Sequence, residues 1–244
     1  MERLSAAIVA RNEAKNIARC VSSLEWTDEI VVVDTGSVDG TLEICAKAGC
    51  RVLRGEWMGF SATKQLAVDS CSNDWVLVVD ADEEVSPKMA DEVRRVMESP
   101  DHTGYRVCRA SWYLGRRIRH CGWGRDRPLR LFDRRCGRFD GRPVHESVRM
   151  ESGSVGTVRG PLRHYPCPDV QTHVRKMVRY ADLGAAKGGS SLISAVAHGG
   201  WKLLSMYLLK LGFLDGREGL VLCLNSAFGV YLKHLMRWEA GRGR

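Results

Sequence analysis

Short apolar runs separated by helix-patterned stretches fill the first hundred positions. Leu4 to Ala10 reads as a strand, and Glu13 to Leu24 as a helix with Ile17, Cys20, Val21 and Leu24 on one face. Ile30 to Val33 is a β-branched strand, Thr41 to Ala48 a helix, Cys50 to Leu53 a third strand and Ser61 to Ser70 another helix. Trp75 to Val79 makes a fourth strand. A helix follows from Pro87, a residue well suited to a first turn, to Met97. Strands that are apolar throughout and alternate with helices predict an α/β class, with a mostly parallel sheet covered on both faces.

Beyond Thr103 the pattern loosens into Gly- and Arg-rich segments, with strand candidates at Tyr105 to Cys108 and Arg130 to Phe132. Asp169 to Ala186 resumes a helical pattern through Val170, Val174, Met177, Val178 and Ala181. Two apolar runs close the chain, Trp201 to Leu214 and Gly219 to Trp238. The first is too short to cross a bilayer; the second is long enough but carries Asn225, Lys233, His234 and Arg237. Two amphipathic helices lying in a membrane interface fit this pattern. Packing on the domain, or against a second copy of the chain in a homo-oligomer, is the plainer alternative. The expected division is an α/β domain over residues 1–168 and a helical region over 169–244.

With 244 residues, 44% of them hydrophobic and 27% charged, the chain can bury a sizeable core and is not compositionally disordered. Its nine cysteines are odd in number and contain no C-x-x-C pair, which argues against a disulfide framework or a zinc site. Reduced thiols in the cytoplasm are the simplest reading, and the first ten residues do not read as a signal peptide. The net charge of +8 is concentrated. Eleven arginines lie between Tyr105 and Arg138, against Asp126 and Asp133. Such a cluster favours an anionic membrane surface or a phosphorylated substrate. No nucleic-acid-binding motif accompanies it, so nucleic acid is not an expected partner. A solvated basic face is the bland reading.

The strongest chemical signal is Asp80-Ala81-Asp82-Glu83-Glu84, a D-x-D directly after the Trp75 to Val79 strand. Ligands of open α/β sheets bind outside the carboxyl ends of the strands. Two carboxylates there suit a hard cation, Mg²⁺ or Mn²⁺, shared with a diphosphate. Asp34-Thr35-Gly36-Ser37-Val38-Asp39-Gly40-Thr41 ends the second strand in the same way. Asp34 could accept a hydrogen bond from a base or ribose, while Ser37 or Asp39 could do no more than cap a helix. After the first strand stands Ala10-Arg11-Asn12-Glu13, which is neither a dinucleotide fingerprint nor a P-loop.

As a set these residues, with Lys64-Gln65, resemble the family-2 glycosyltransferases of GT-A fold. Arg130-Leu131-Phe132, Val144-His145-Glu146 and Leu211 to Gly216 are similar to the subgroup containing lipopolysaccharide core β-glucosyltransferases. The resemblance implies an inverting transfer from a nucleotide-sugar donor such as UDP-glucose to a lipid-linked, phosphorylated glycan at the inner face of the cytoplasmic membrane. It implies a donor site of Ala10, Arg11, Asn12, Glu13, Asp34, Lys64, Asp80, Ala81 and Asp82. Metal contacts would come from Asp82 and Asp80, with His164 as a further one.

Inversion needs a base for the acceptor hydroxyl. Glu146 is the choice, with His145 and Asp140 as substitutes, although many members carry an acidic pair where this chain has His145-Glu146. The plainer role for Glu146 is as a salt-bridge partner of nearby arginines. Arg116, Arg117, Arg125 and Arg130 are the expected acceptor contacts, with Trp112, Tyr113 and Trp123 among them for stacking on sugars. A sugar-phosphate nucleotidyltransferase and a non-catalytic nucleotide-sugar-binding module are the competing readings.

Overall fold

A computed structural model describes residues 2–124, 126–142, 146–185 and 189–242. The chain divides into two compact units, Met1–Arg109 with Arg127–His164, and Ala110–Asp126 with Tyr165–Arg244. A single expected break after residue 168 made no provision for residues 110–126, which cluster with the C-terminal region.

The first unit is built on β1 (Leu4–Ala10), β2 (Glu29–Asp34), β3 (Arg51–Arg54) and β4 (Trp75–Asp80). These run parallel in the order β3-β2-β1-β4, with Ala7 opposite both Val31 and Val78. The sheet then continues through β8 (Leu129–Asp133), β6 (Gly104–Tyr113), β11 (Val155–Cys167) and β5 (Glu83–Val85). The β4–β8, β8–β6 and β11–β5 pairings are antiparallel. The sheet is therefore mixed, and the expectation of a mostly parallel one holds for its first four strands.

Because successive side chains of a strand point to opposite faces, the continuous apolar runs feed two cores. Ala6, Ile8, Val32, Leu77 and Val79 pack with Ile17, Cys20 and Val21 of α1 (Ile17–Ser22) and with Met89, Val93 and Met97 of α4 (Pro87–Glu98). Ala7, Val31, Val33, Val76 and Val78 pack with Ala67 and Val68 of α3 (Phe60–Asp69) and with Phe132 and Val148. Helix α2 (Thr41–Lys47) adds Cys45 to the first core. A two-stranded ribbon of β9 (Gly137–Phe139) and β10 (Val148–Met150) completes the unit.

The second unit carries β7 (Arg116–Ile118), hairpin-paired with Ser111 to Tyr113, and helices α5 (Val170–Ala185), α6 (Leu192–Leu204) and α7 (Gly216–Arg242). Its core contains Tyr113, Ile118, Cys121, Cys167, Met206, Leu222 and Cys223. The Trp201 to Leu214 run is not one helix. It is the end of α6, a π turn at Ser205–Leu209 and a 3₁₀ turn at Gly212–Asp215, separated by Leu211 in the left-handed region (φ 54°). None of the nine cysteines forms a disulfide.

Candidate active site

Three loops leave the carboxyl rim of the parallel strands, and the first two are sewn together by their own polar side chains. Asn12, left-handed at φ 56°, donates its N–H to Ser37 Oγ (2.9 Å) and accepts from Val38 N on its side-chain oxygen (2.9 Å). Glu13 N donates to Thr41 Oγ1 (2.9 Å) and Ala14 N to Asp39 Oδ2 (3.1 Å). Asp34 is buried. Its carboxylate accepts from the N–H groups of Gly36 (3.0 Å) and Ser37 (2.9 Å) and from the Ser37 hydroxyl. Asp39 also caps Thr41 N (3.1 Å), the bland role foreseen for one of this pair. Burial would raise the Asp39 carboxyl, but the Thr41 hydroxyl and the Ala14 and Thr41 N–H groups together hold it below its ordinary value. Beside this stitched rim a cavity of about 370 Å³ is lined by Asp34, Gly36, Ser37, Leu42, Arg54, Gly55 and Glu56. Arg11 lies exposed at the same rim.

Around the end of β4 the side chains form a chain of alternating charge. Asp80 Oδ1 lies 2.6 Å from Lys64 Nζ, and the same ammonium lies 2.6 Å from Glu146 Oε1. Asp80 Oδ2 lies 2.6 Å from Arg130 Nη2. Arg130 also approaches Glu83 Oε1 at 3.5 Å, and Arg109 Nη1 reaches that oxygen at 3.3 Å. Glu83, fully buried, turns its other oxygen back to the N–H of Asp80 (2.9 Å). Burial alone would raise the Asp80 carboxyl. Arg130 and then Lys64 outweigh it and hold Asp80 well below the usual carboxylate range. Burial would lower the Arg130 guanidinium, and Asp80 and then Glu83 more than offset it, holding the group above its ordinary value.

The structure thus brings Lys64, Asp80 and Glu146 together, residues widely separated in sequence. Arg130, expected among acceptor-facing arginines, is buried: its guanidinium is directed at Asp80 and Glu83 because β8 lies next to β4 in the sheet. Arg116 and Arg117 belong to the second unit, where Arg116 pairs with Glu218 (3.5 Å) and Arg117 lies over the Trp112 ring (5.9 Å). Tyr113 is fully buried, hydrogen-bonded to His173 Nδ1 at 2.7 Å, so it offers no stacking face; Trp123 packs partly against the same core. Asp140 is engaged by Ser147 Oγ (2.8 Å), Arg142 N (3.2 Å) and Arg142 Nε (3.3 Å). Arg125 and His145 lie outside the described residues. Glu83 and Arg109 had no assigned role in the sequence reading. The only signal for them there was that Glu83 follows the D-x-D and that Arg109 needs a buried counter-ion.

Asp82 lies 3.6 Å from His164 Nε2 (Asp82 Oδ1), a pairing set by the β5–β11 register, which places His164 opposite Glu83. Among the described residues no three His, Cys, Asp or Glu side chains form a ready-made cation cage. That is not what Mg²⁺ or Mn²⁺ shared with a diphosphate requires, since one or two protein ligands suffice when phosphates supply the rest. Asp82 with His164 fits such an ion. Asp80, with both oxygens on cations, does not.

A mixed α/β sheet with carboxylates at the carboxyl rim of its parallel strands is a GT-A-like fold. Residues 5–149 match glycosyl transferase family 2, and the chain belongs to that family. It is 30% identical over 257 residues to the lipopolysaccharide core biosynthesis glycosyltransferase LpsC of Rhizobium meliloti (strain 1021), covering 96% of this chain and 94% of that protein. It is 28% identical to the glycosyltransferase RP128 of Rickettsia prowazekii (strain Madrid E), covering 96% and 86%. Among solved structures it is similar to glucosyl-3-phosphoglycerate synthase from Mycobacterium tuberculosis in complex with Mn²⁺, UDP and glucosyl-3-phosphoglycerate. That match has 20% identity and a TM-score of 0.39 over 46% of this chain and 44% of that one. So loose a superposition does not equate the residues of the two sites.

Proposed function

We propose that this glycosyltransferase moves a hexose, with inversion, from a UDP-sugar such as UDP-glucose to a lipopolysaccharide inner-core or similar cell-envelope glycan. The observation that carries the reading is the gathering of Lys64, Asp80 and Glu146 at one strand-end rim, with Asp82 following Asp80 in the same loop beside His164, in a chain related over nearly its whole length to LpsC. The donor nucleoside would enter the cavity beside Asp34, whose buried carboxylate shapes the loop wall rather than reaching out to the base. Asp82, with His164 beside it, would hold Mg²⁺ or Mn²⁺, whose charge offsets that developing on the leaving diphosphate. Lys64 would face the same phosphates. Glu146 would take the acceptor proton, using the oxygen not held by Lys64. Arg116, Arg117 and Arg125 would draw in an anionic acceptor. The apolar helices of the second unit would keep the protein on the inner face of the cytoplasmic membrane.

The test is a donor panel, with and without EDTA, followed by nucleoside diphosphate release against candidate lipid-linked acceptors. UDP release from UDP-glucose that EDTA abolishes and Mn²⁺ restores is expected. Asp82→Ala should lower it by at least about 100-fold, a loss typical of removing a key stabilising group. Glu146→Gln should remove most turnover while leaving UDP affinity within about threefold. Release of pyrophosphate would point to a nucleotidyltransferase, and donor binding without turnover on any acceptor would point to a binding module.

A further inference from the structure

Residues 54–62 run between two cavities of the first unit. Arg54, Gly55 and Glu56 line the one beside Asp34, which takes the donor nucleoside in the proposed reaction. Met58 to Ala62 line a second, of about 430 Å³, large enough for a small-molecule ligand. Its other wall is the 138–142 segment. Phe139 N donates to Gln65 Oε1 (2.9 Å) and Gly141 N to Ser61 Oγ (2.8 Å), which ties that wall to α3. The same two segments carry the groups placed at the reaction centre: α3 holds Lys64, and the 138–142 arm leads on to Glu146, 2.6 Å from its ammonium. A transfer brings two substrates to one base, and the loop has a cavity on either side of it. The transfer chemistry described so far uses only the first.

The lining of the second cavity selects a ligand. Met58, Phe60 and Phe139 make it apolar, Arg138 and Arg142 make it cationic, and no acidic residue is among its described lining. Both arginines are exposed, and each meets a carboxylate through Nε, Glu151 at 3.7 Å and Asp140 at 3.3 Å. Exposed ion pairs of this kind contribute little. A phosphate offers the same guanidinium groups stronger, charge-assisted and often bidentate bonds, so it can draw them from those partners. An apolar surface beside two such cations suits a sugar ring that bears a phosphate.

We propose that this cavity is an acceptor subsite for a phosphorylated sugar residue, with the phosphate on Arg138 and Arg142 and the ring against Met58, Phe60 and Phe139. The inference rests on reading the Asp34 cavity as the donor's and Glu146 as the base. Ala62 supplies a test that leaves charge unchanged. It is exposed and lines the cavity, and it lies two positions from Lys64, so the two side chains leave α3 in opposite directions. A tryptophan there fills the cavity without reaching the Lys64 side of the helix.

The probe is the deacylated, phosphorylated inner-core oligosaccharide of a deep-rough lipopolysaccharide, compared with the same oligosaccharide stripped of phosphate by hydrogen fluoride. Binding to the full chain is followed by calorimetry with UDP and Mn²⁺ at saturation. Arg138→Gln with Arg142→Gln should weaken the phosphorylated probe by about tenfold or more, the scale of a lost bond to a charged group. The same pair should change the stripped probe by less than about twofold, since it lacks the group that the arginines hold. Ala62→Trp should weaken both probes. Arg94→Gln, on α4 across the sheet, removes a charge elsewhere and should change neither.

The proposal is overturned by a wild-type chain that ignores the phosphorylated probe at millimolar concentration, or by displacement of the probe by UDP. Equal losses for the two probes in the arginine pair would overturn it too, as would a loss in Arg94→Gln as large as in that pair. The reading beneath it fails separately. No UDP release from UDP-glucose with any acceptor would sink the transfer reaction and leave these affinities as they are.

Discussion

Individual polar side chains hold the first unit together at points where strands alone would not. Glu29, at the start of β2, accepts from Ser5 Oγ of β1 (2.6 Å), from Ser72 N (2.8 Å) and Oγ (2.9 Å), and from Arg51 of β3 (3.2 Å). Burial would raise this carboxyl, but the Ser5 and Ser72 bonds outweigh it, so the folded value lies below the unfolded one. A depressed carboxyl contributes stability that is fully present above its unfolded value, near 4.3, and lost as pH falls through the folded value. Glu29→Gln should therefore cost about 1–2 kcal/mol at pH 7, and the difference from wild type should shrink in urea melts as the pH is lowered below about 4. A constant difference down to pH 3 would rule the charge out. The same scale marks the limit of reading residues from sequence. Asp34, Asp80 and Glu146 were legible as carboxylates in informative places. That Asp34 is consumed by its own loop, and that Arg130 is turned inward onto Asp80, depended on which strands become neighbours, and β8 beside β4 is a pairing across some fifty residues of sequence.

Elements with a strong period were legible, and those shaped by contacts were not. Strands β1, β2 and β4 fall within a residue of the boundaries that their apolar runs predict, and α4 begins at Pro87 behind Ser86, whose hydroxyl caps Met89 N (3.3 Å). The long β11 was missed, because Val155 to Cys167 contains Gly156, Gly160 and Pro161 and alternates poorly. Its glycines have a packing reason. Gly160 sits at φ +97°, and a Cβ there would lie 2.6 Å from Met89 N, at the first turn of α4. Gly160→Ala should cost about 2–4 kcal/mol, combining left-handed strain with overpacking against backbone that has no room to yield. A Tm drop of less than about 2 °C would show that α4 gives way freely. The tail's helical run was read as continuous to Leu214, whereas Leu211 turns left-handed there, and the Gly212 that follows it was the one local signal of the break.

At the scale of the whole molecule the two units differ in what they leave in water. The first buries most of its apolar residues in two cores, with Val38 and Met58 among the few exposed, while the second exposes Ile193 (82%), Leu209 (68%), Val196 (65%), Trp201 (63%) and many others along its helices and the turn after α6. Helical stretch Gly212–Arg242 is long and apolar enough to cross a membrane by length and composition, and only 22% of its most apolar window is buried. So much exposed apolar surface marks an interaction face, and on the proposed reading Lys202, Arg217 and Lys233 along these helices would suit an anionic bilayer. Returning half of a large apolar side chain to water costs about 1–1.5 kcal/mol. Ile193→Asp with Trp201→Asp should therefore weaken co-sedimentation with phosphatidylglycerol-containing vesicles by at least about 30-fold, and high salt should weaken the wild type as well. Light scattering separates the alternative. A wild-type chain that ignores vesicles yet dimerises, with the double variant monomeric, would assign the face to a second copy. Neither change touches the charge chain at β4, so donor turnover in detergent should stay at the wild-type level, and its loss would mean that the helices do more than anchor.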